Sequence, residues 1–560
     1  MKKLSPLAAW AAAVSAIFNS EDQRGLRWGH GPEHDGIVGA SASSAARRPQ
    51  AKHAFLTDKT SKFAVNGTGI PNVGFDAGES YAGLLPIDAA ASDDEMQELY
   101  FWFFPKEKPS DDREIVIWLT GGPGCSSIGE LLQENGPISW KPGTRAPVRN
   151  PWSWHRLANV VWVDQPVGTG YSRGPVTATD EHDVARQFLG FWRNFVDAFD
   201  LHGYKVYVAG SSYSGLFTPY ISSAMLDAAA DGGDAGGGGG GGYFDVGGMM
   251  VLDPLLSQYG LGQDFAVSRV LDYWGPAFSL NETAREAVRE IEDRCGYRDY
   301  VDRYLVFPPS GVQPVKIPGS FRYGDYVPEC DALTVVIAAE RVANPCFSVY
   351  NVLRTCPLPF DPLGFSEGTG YYPAPEPVYF DRPDVKEAIH APPGREWQFC
   401  SRQPVFVGGV DGSQTPGPGS LPVIPGVVER TGNVIVGHGL RDLLVQSAGT
   451  LMAIQNMTWG GALGFQSRPE ATLRVPHHRH GDAGKGSGGA PAGAGELGVW
   501  HSERGLTYFE TPTAGHFLGR DAPSVSFRAL EVLLGKVADF GSDAPFTTDA
   551  KERVVLSEEL

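Results

Sequence analysis

Residues Val206–Leu216 read VYVAGSSYSGL, the outline of a strand, a tight turn and a helix start. The β-formers Tyr204, Val206, Tyr207 and Val208 run into a turn of small residues. Beyond it, Leu216, Phe217, Tyr220, Ile221, Ala224 and Met225 are spaced for one face of a helix. A strand–turn–helix of this kind holds its turn residue in a strained conformation, so the neighbours must be small. Gly210 lies two before Ser212, and Ser214 and Gly215 lie two and three after it. Ser212 is therefore expected to project its hydroxyl from the C-terminal edge of a parallel sheet, above a helix N-terminus. Ser214 stands where a G-x-S-x-G motif ends in glycine, and a plain Gly/Ser-rich turn would read much the same, so other stretches must decide.

Around it the pattern alternates β-rich and helical segments. Candidate strands are Ile115–Leu119, Val160–Asp164, Lys205–Ala209, Asn433–Val436 and Leu506–Phe509. Runs apolar on both faces and separated by helices predict a mostly parallel sheet covered on both sides. Between Ser257 and about Pro375 the chain turns to amphipathic helix and Pro-rich loop carrying four of the six cysteines, which predicts an insertion. Asp231–Gly242, nearly all glycine, and His477–Gly495, rich in His, Gly and Ala, read as surface insertions. His477, His478 and His480 could bind a metal, but without partner ligands a solvated loop is the better reading, and no metal is expected.

With 560 residues, 42% of them hydrophobic and 11% aromatic, the chain has material for a large core. A formal net charge of −19 argues against nucleic-acid binding, which needs a basic footprint. Lys2 and Lys3 precede an apolar run from Leu7 to Phe18, so residues 1–19 read as a secretory signal, and 20–60 as a loosely held segment. Sequons at Asn66, Asn281 and Asn456 and an even number of cysteines agree with a secreted or vacuolar destination. No later run reaches the length of a membrane span.

An activated serine needs a base, an acid to orient the base, and donors for the oxyanion. NVIVGHGLRDLLVQSAGT places Asp442 just beyond a strand and a Gly-x-Gly turn. TYFETPTAGHFLGRDAP places His516 after the last strand. Ser212, Asp442 and His516 thus follow the chain order Ser, Asp, His of an α/β-hydrolase. His438 competes as the base but precedes the acid.

The upstream blocks IWLTGGPGCSSIGELLQENGPISW and NPWSWHRLANVVWVDQPVGTGYS are more specific, and YFDRPDVKEAIHAP and AGHFLGRDAP follow in order. Together they resemble the serine carboxypeptidase family over roughly residues 60–540. The resemblance implies an α/β-hydrolase core at 61–256 and 396–545 with a helical cap at 257–395. It implies a cofactor-free carboxypeptidase acting on peptides with a free C-terminus through an acyl-enzyme. Ser212 would be the nucleophile, His516 the base, Asp442 its orienting acid, and the N–H groups of Gly122 and Tyr213 the oxyanion hole. Cys125 would pair with Cys400. Cys295 with Cys330 and Cys346 with Cys356 is the expected remainder, although four cysteines permit three pairings and the sequence does not choose.

The substrate carboxylate is where the chain departs. The family usually has Asn at Thr120 and Glu at Ser211, which with Glu134 and the Gly121 N–H hold that carboxylate. With its partner acid missing, Glu134 is expected to ionise at lower pH and to repel the substrate, unless burial holds it neutral. An esterase or acyltransferase with an altered carboxylate site is the alternative; a non-catalytic secreted glycoprotein is a more distant one.

Overall fold

The computed structural model describes residues 54–549, apart from 89, 91, 93–94, 232–241, 320–326, 366, 368–376, 416 and 479–492. The signal, nearly all of the segment to residue 60, the glycine run, His480 and most of the His-rich insertion lie outside the described residues.

An eleven-stranded sheet organises the molecule. Its strands are β1 (Ala64–Val65), β2 (Ser80–Pro86), β3 (Glu98–Phe104), β4 (Glu114–Leu119), β5 (Asn159–Asp164), β6 (Lys205–Ser211), β7 (Asp245–Leu252), β8 (Val434–Gly439), β9 (Ala471–Val475), β10 (Gly495–Glu503) and β11 (Leu506–Thr511). They lie in the order β1-β2-β3-β5-β4-β6-β7-β8-β11-β10-β9. The strands from β5 through β11 in that order pair in parallel, and antiparallel strands flank them on both sides. All five expected strands are present. β7 and the flanking strands escape the sequence reading: β7 carries Gly247 and Gly248, and the flanking pairs β2–β3 and β10–β11 are antiparallel, without the intervening helix that marks parallel neighbours.

Alternation along the central strands feeds two cores. Val116 and Trp118 of β4 point into one, Ile115, Ile117 and Leu119 into the other. Glu181–Phe199, the helix α1, covers the second face with Phe188, Phe191, Trp192, Phe195 and Phe199. Asp180 caps its start by accepting from the Asp183 N–H. Pro523–Leu533 covers the first face through Val525, Phe527 and Leu530. Helices dominate from Tyr259 to Tyr304 and return at Ala332–Ala343, with Glu282–Cys295 packed against Ala332–Ala343. The disulfides are Cys125–Cys400, Cys295–Cys330 and Cys346–Cys356, as expected.

Candidate active site

β6 runs directly into the helix α2 (Ser214–Ala230), and the turn between them holds Ser212 at φ 60°. That left-handed value is uncommon outside glycine and is sustained by the surrounding packing. The Ser212 N–H donates to the Leu252 carbonyl of β7 (2.9 Å), and the Ser212 carbonyl accepts from Gly215 and Leu255. Gly210 must be glycine, because a Cβ there would lie 2.1 Å from the Ser214 hydroxyl and 2.2 Å from the Leu119 carbonyl. Ser214, which replaces the motif's last glycine, is buried and hydrogen-bonded to Thr218 at 2.7 Å.

β8 and β11 are parallel neighbours, so the turns after them meet at the same end of the sheet. Asp442 stands on the first turn and accepts through Oδ1 from the Leu444 and Val445 N–H groups. Its Oδ2 lies 2.6 Å from His516 Nδ1, and both side chains are buried. With Nδ1–H directed at Asp442, Nε2 is the nitrogen left to take a proton. Burial opposes a charge on His516, but Asp442, Asp253 and Glu130 outweigh it and the pKa is raised.

His438 is not a competing base. It lies wholly buried on β8, with Nε2 2.8 Å from the Thr450 hydroxyl, and burial brings its pKa down to about 4. Nδ1 lies 3.4 Å from Asp253 Oδ1, which also accepts from the Gly439 N–H at the start of the Asp442 turn.

The loop after β4 carries Thr120, Gly121 and Gly122. Gly121 packs flat on the elbow: a Cβ there would come 2.3 Å from the Tyr213 nitrogen. The loop is pinned by the Cys125–Cys400 bond, flanked by Ser126 N–H to Phe399 carbonyl (2.7 Å) and Ser401 N–H to Gly124 carbonyl (2.9 Å). Ser126 also donates to Asp164 at 2.8 Å, which ties the loop to the DQPVGTGYS segment. On the other side, the Tyr213 hydroxyl donates to Asp411 at 2.8 Å.

Of the two alternatives for Glu134, burial prevails over early ionisation. The sequence leaves it without an acidic neighbour, but the structure brings Glu130 to it. Leu119 of β4 and Gly210 of β6 are register partners, so Thr120 and Ser211 emerge side by side. Glu130 ends the short helix Ser127–Glu130 and reaches both. It accepts from the Thr120 hydroxyl (2.7 Å), the Trp118 indole N–H (2.7 Å) and the Ser211 hydroxyl (2.9 and 3.0 Å to its two oxygens). Thr120 and Ser211 therefore spend their single protons on Glu130. Glu134 sits one turn on, in the π-helical turn Leu131–Asn135, where Oε2 accepts from the Gly519 N–H at 3.0 Å and Oε1 has no hydrogen-bond partner. Burial and then the charge of Glu130 hold the Glu134 carboxyl well above the usual carboxylate range. Both effects favour the neutral form of Glu134 over early ionisation. Glu130 was missed, although its spacing of four from Glu134 within an apolar stretch was a readable sign that the two share a face.

Tyr350, Phe365, Phe399 and Phe517 form a continuous aromatic wall beside His516, with Phe365 and Phe399 stacked at 4.5 Å. The sequons at Asn66 and Asn281 are exposed, and Asn456 is half-buried with its carbonyl accepting from the Gln313 N–H. The described residues contain no metal-binding cluster, and no described helix is long and apolar enough to cross a membrane.

The family model described as serine carboxypeptidase matches residues 71–536. A probable serine carboxypeptidase of Arthroderma benhamiae is 46% identical over 494 residues, covering 86% of this chain and 88% of that protein. Serine-type carboxypeptidase F of Aspergillus niger is 41% identical over 497 residues, covering 87% and 89%. Among solved structures, the prohormone-processing carboxypeptidase Kex1Δp of Saccharomyces cerevisiae superposes with a TM-score of 0.63 at 19% identity, covering 86% of this chain and 98% of that one, a likeness of fold.

Proposed function

This chain belongs to the serine carboxypeptidase family, and from that premise we propose how its residues release the last amino acid of a peptide. The observation that carries the reading is the buried 2.6 Å Asp442–His516 pair, set at the same sheet edge as the strained Ser212. Ser212 Oγ attacks the carbonyl carbon of the last peptide bond and its proton passes to His516 Nε2. The backbone N–H groups of Gly122 and Tyr213 take the oxyanion, the first on the loop that the disulfide keeps from relaxing and the second on the elbow. As the C–N bond breaks, His516 returns that proton to the leaving amine. Water then attacks the acyl-enzyme, His516 takes its proton, and Ser212 Oγ leaves reprotonated. Asp442 holds the ring by its Nδ1 and stabilises the imidazolium.

Glu134 and the Gly121 N–H are the groups proposed to receive the substrate carboxylate. A neutral Glu134 whose Oε2 accepts from Gly519 keeps its proton on Oε1, the oxygen without a partner. Residues 257–395 are read as the cap that walls the cleft. Glycans at Asn66, Asn281 and Asn456 and passage through the secretory route fit a protein with three disulfides.

The test is a fluorophosphonate probe combined with hydrolysis of one blocked dipeptide as free acid, amide and ester. Labelling at Ser212 and release of the terminal amino acid from the free acid are expected. Hydrolysis of the ester alone would return the esterase reading.

A further inference from the structure

We propose that Glu130 is the positioning residue that equips this enzyme for a free C-terminal carboxylate, supplying from the helix before Glu134 the second acid that position 211 lacks. The inference rests on the carboxypeptidase reading of the same site and names the residue that sets its selectivity. Two observations carry it. Glu130 collects the protons of Trp118, Thr120 and Ser211, contacts that favour its ionised form against the burial that raises its carboxyl, whereas Glu134 is raised further and has one backbone donor, so Glu130 is the acid of the pair better placed to hold a charge. Glu134, 5% exposed, keeps one buried oxygen without a partner, a group that costs free energy unless a ligand or a proton-sharing contact meets it.

Charge on Glu130 makes a second charge on Glu134 unfavourable, and a proton on Glu134 Oε1 is what an incoming carboxylate needs. The other groups facing Glu134 are Arg520, Asp521 and Lys141. Arg520 works against the proton, but it is itself paired to Glu367 at 2.9 Å and lies 3.4 Å from Asp521. His516 feels Asp442, Asp253 and Glu130, with His438 opposing through its effect on the same cluster.

The signs follow. The peptide-binding form has Glu134 neutral, so kcat/KM for a free-acid peptide falls as pH rises through its raised pKa. Removing the charge of Glu130 lowers that pKa, and the alkaline limb moves to lower pH. His516 must be neutral to accept a proton, and Glu130 helps to raise its pKa, so the acid limb moves to lower pH as well.

The experiment is the pH profile of kcat and KM for the full-length enzyme and Glu130→Gln on one blocked dipeptide, as free acid and as methyl ester, with Ser212 titrated by fluorophosphonate to count folded sites. For Glu130→Gln we expect KM for the free acid to rise about tenfold on the alkaline side, equivalent to a limb shift of roughly one pH unit. The ester should show movement of the acid limb only. The double variant Glu130→Gln/Ser211→Glu should recover part of the alkaline limb by returning an acid from the elbow. Glu134→Gln, which cannot ionise, should lose the alkaline limb on the free acid. If the unmodified enzyme releases amino acid from the free acid but Glu130→Gln leaves the alkaline limb in place, or loses kcat equally on both substrates, the inference is overturned and the carboxypeptidase reading stands. If the unmodified enzyme does not cleave the free acid, that reading itself fails. Should Glu130→Gln leave no titratable Ser212, an alkaline limb persisting in Glu134→Gln overturns the proposal, and its loss supports it.

Discussion

The two ends of the active site are built on different principles. At one end, Asp442 and His516 hang from turns after neighbouring parallel strands, and Ser212 from a strand-to-helix turn with φ 60°. Their positions come from backbone geometry, so residue type and chain order suffice to name them. At the other end, Thr120, Ser211, Glu130 and Glu134 meet through side chains from two strand ends and a helix. There an acid can leave one element and arrive from another while the cleft keeps its charge. Chemistry that needs sub-ångström alignment is tied to the backbone; recognition of a charge needs only that some acid reaches the spot.

Breaking the first end should have the largest effect. Ser212→Ala or His516→Ala should lower kcat by on the order of 10⁴ to 10⁶ while far-UV dichroism stays native. Comparable loss from Ser214→Ala, with Ser212→Ala still active, would move the elbow register and undo the contrast.

Ser211→Glu comes next and sharpens the comparison most. If position 211 simply lacked an acid, this change would restore acidic-pH preference. Glu130 already occupies that space, so the new carboxyl would be buried against it with no added donor. We expect higher KM for free-acid peptides and a loss of about 1–3 kcal/mol in denaturant unfolding, the cost of a poorly satisfied buried polar group. Tighter peptide binding by the single variant would mean that Glu130 does not fill the acid's place.

The tether between the ends is the third test. Cys125→Ser/Cys400→Ser should cost about 2–4 kcal/mol of stability and lower kcat more than it raises KM, because the oxyanion loop loses its pin. Non-reducing peptide mapping should recover the two cysteines in one fragment. A free thiol at Cys125 would remove the covalent tether from the mechanism.

His438→Gln should have the smallest effect. With a pKa of about 4, His438 is already neutral through the range in which His516 titrates. Loss of its Thr450 contact should cost roughly 1 kcal/mol of stability, with the acid limb of ester hydrolysis displaced little. A collapse of kcat comparable to His516→Ala would reinstate it as a base.

What the sequence by itself determined is what local rules and chain order encode. Gly210 and Gly215 around Ser212, the apolar runs of β4, β5, β6 and β8, and the succession of Ser212, Asp442 and His516 are patterns in one dimension. The sheet they imply has little freedom once its strands must be apolar on both faces. The cysteine pairing followed from resemblance alone until the fold brought Cys125 and Cys400 together across 275 residues. Tertiary structure alone decided the rest. β2, β9 and β10 are strands because neighbours complete their hydrogen bonds, whereas the aromatic run ELYFWFF of β3 was a local signal that could have been read. The ionisation of Glu134 depends first on its burial and then on Glu130, and the state of Glu130 on its own burial and on Trp118, Thr120 and Ser211, three donors at the ends of two strands. A buried acid's proton is set by the groups within a few ångströms of it, and those groups are neighbours only once the chain has folded.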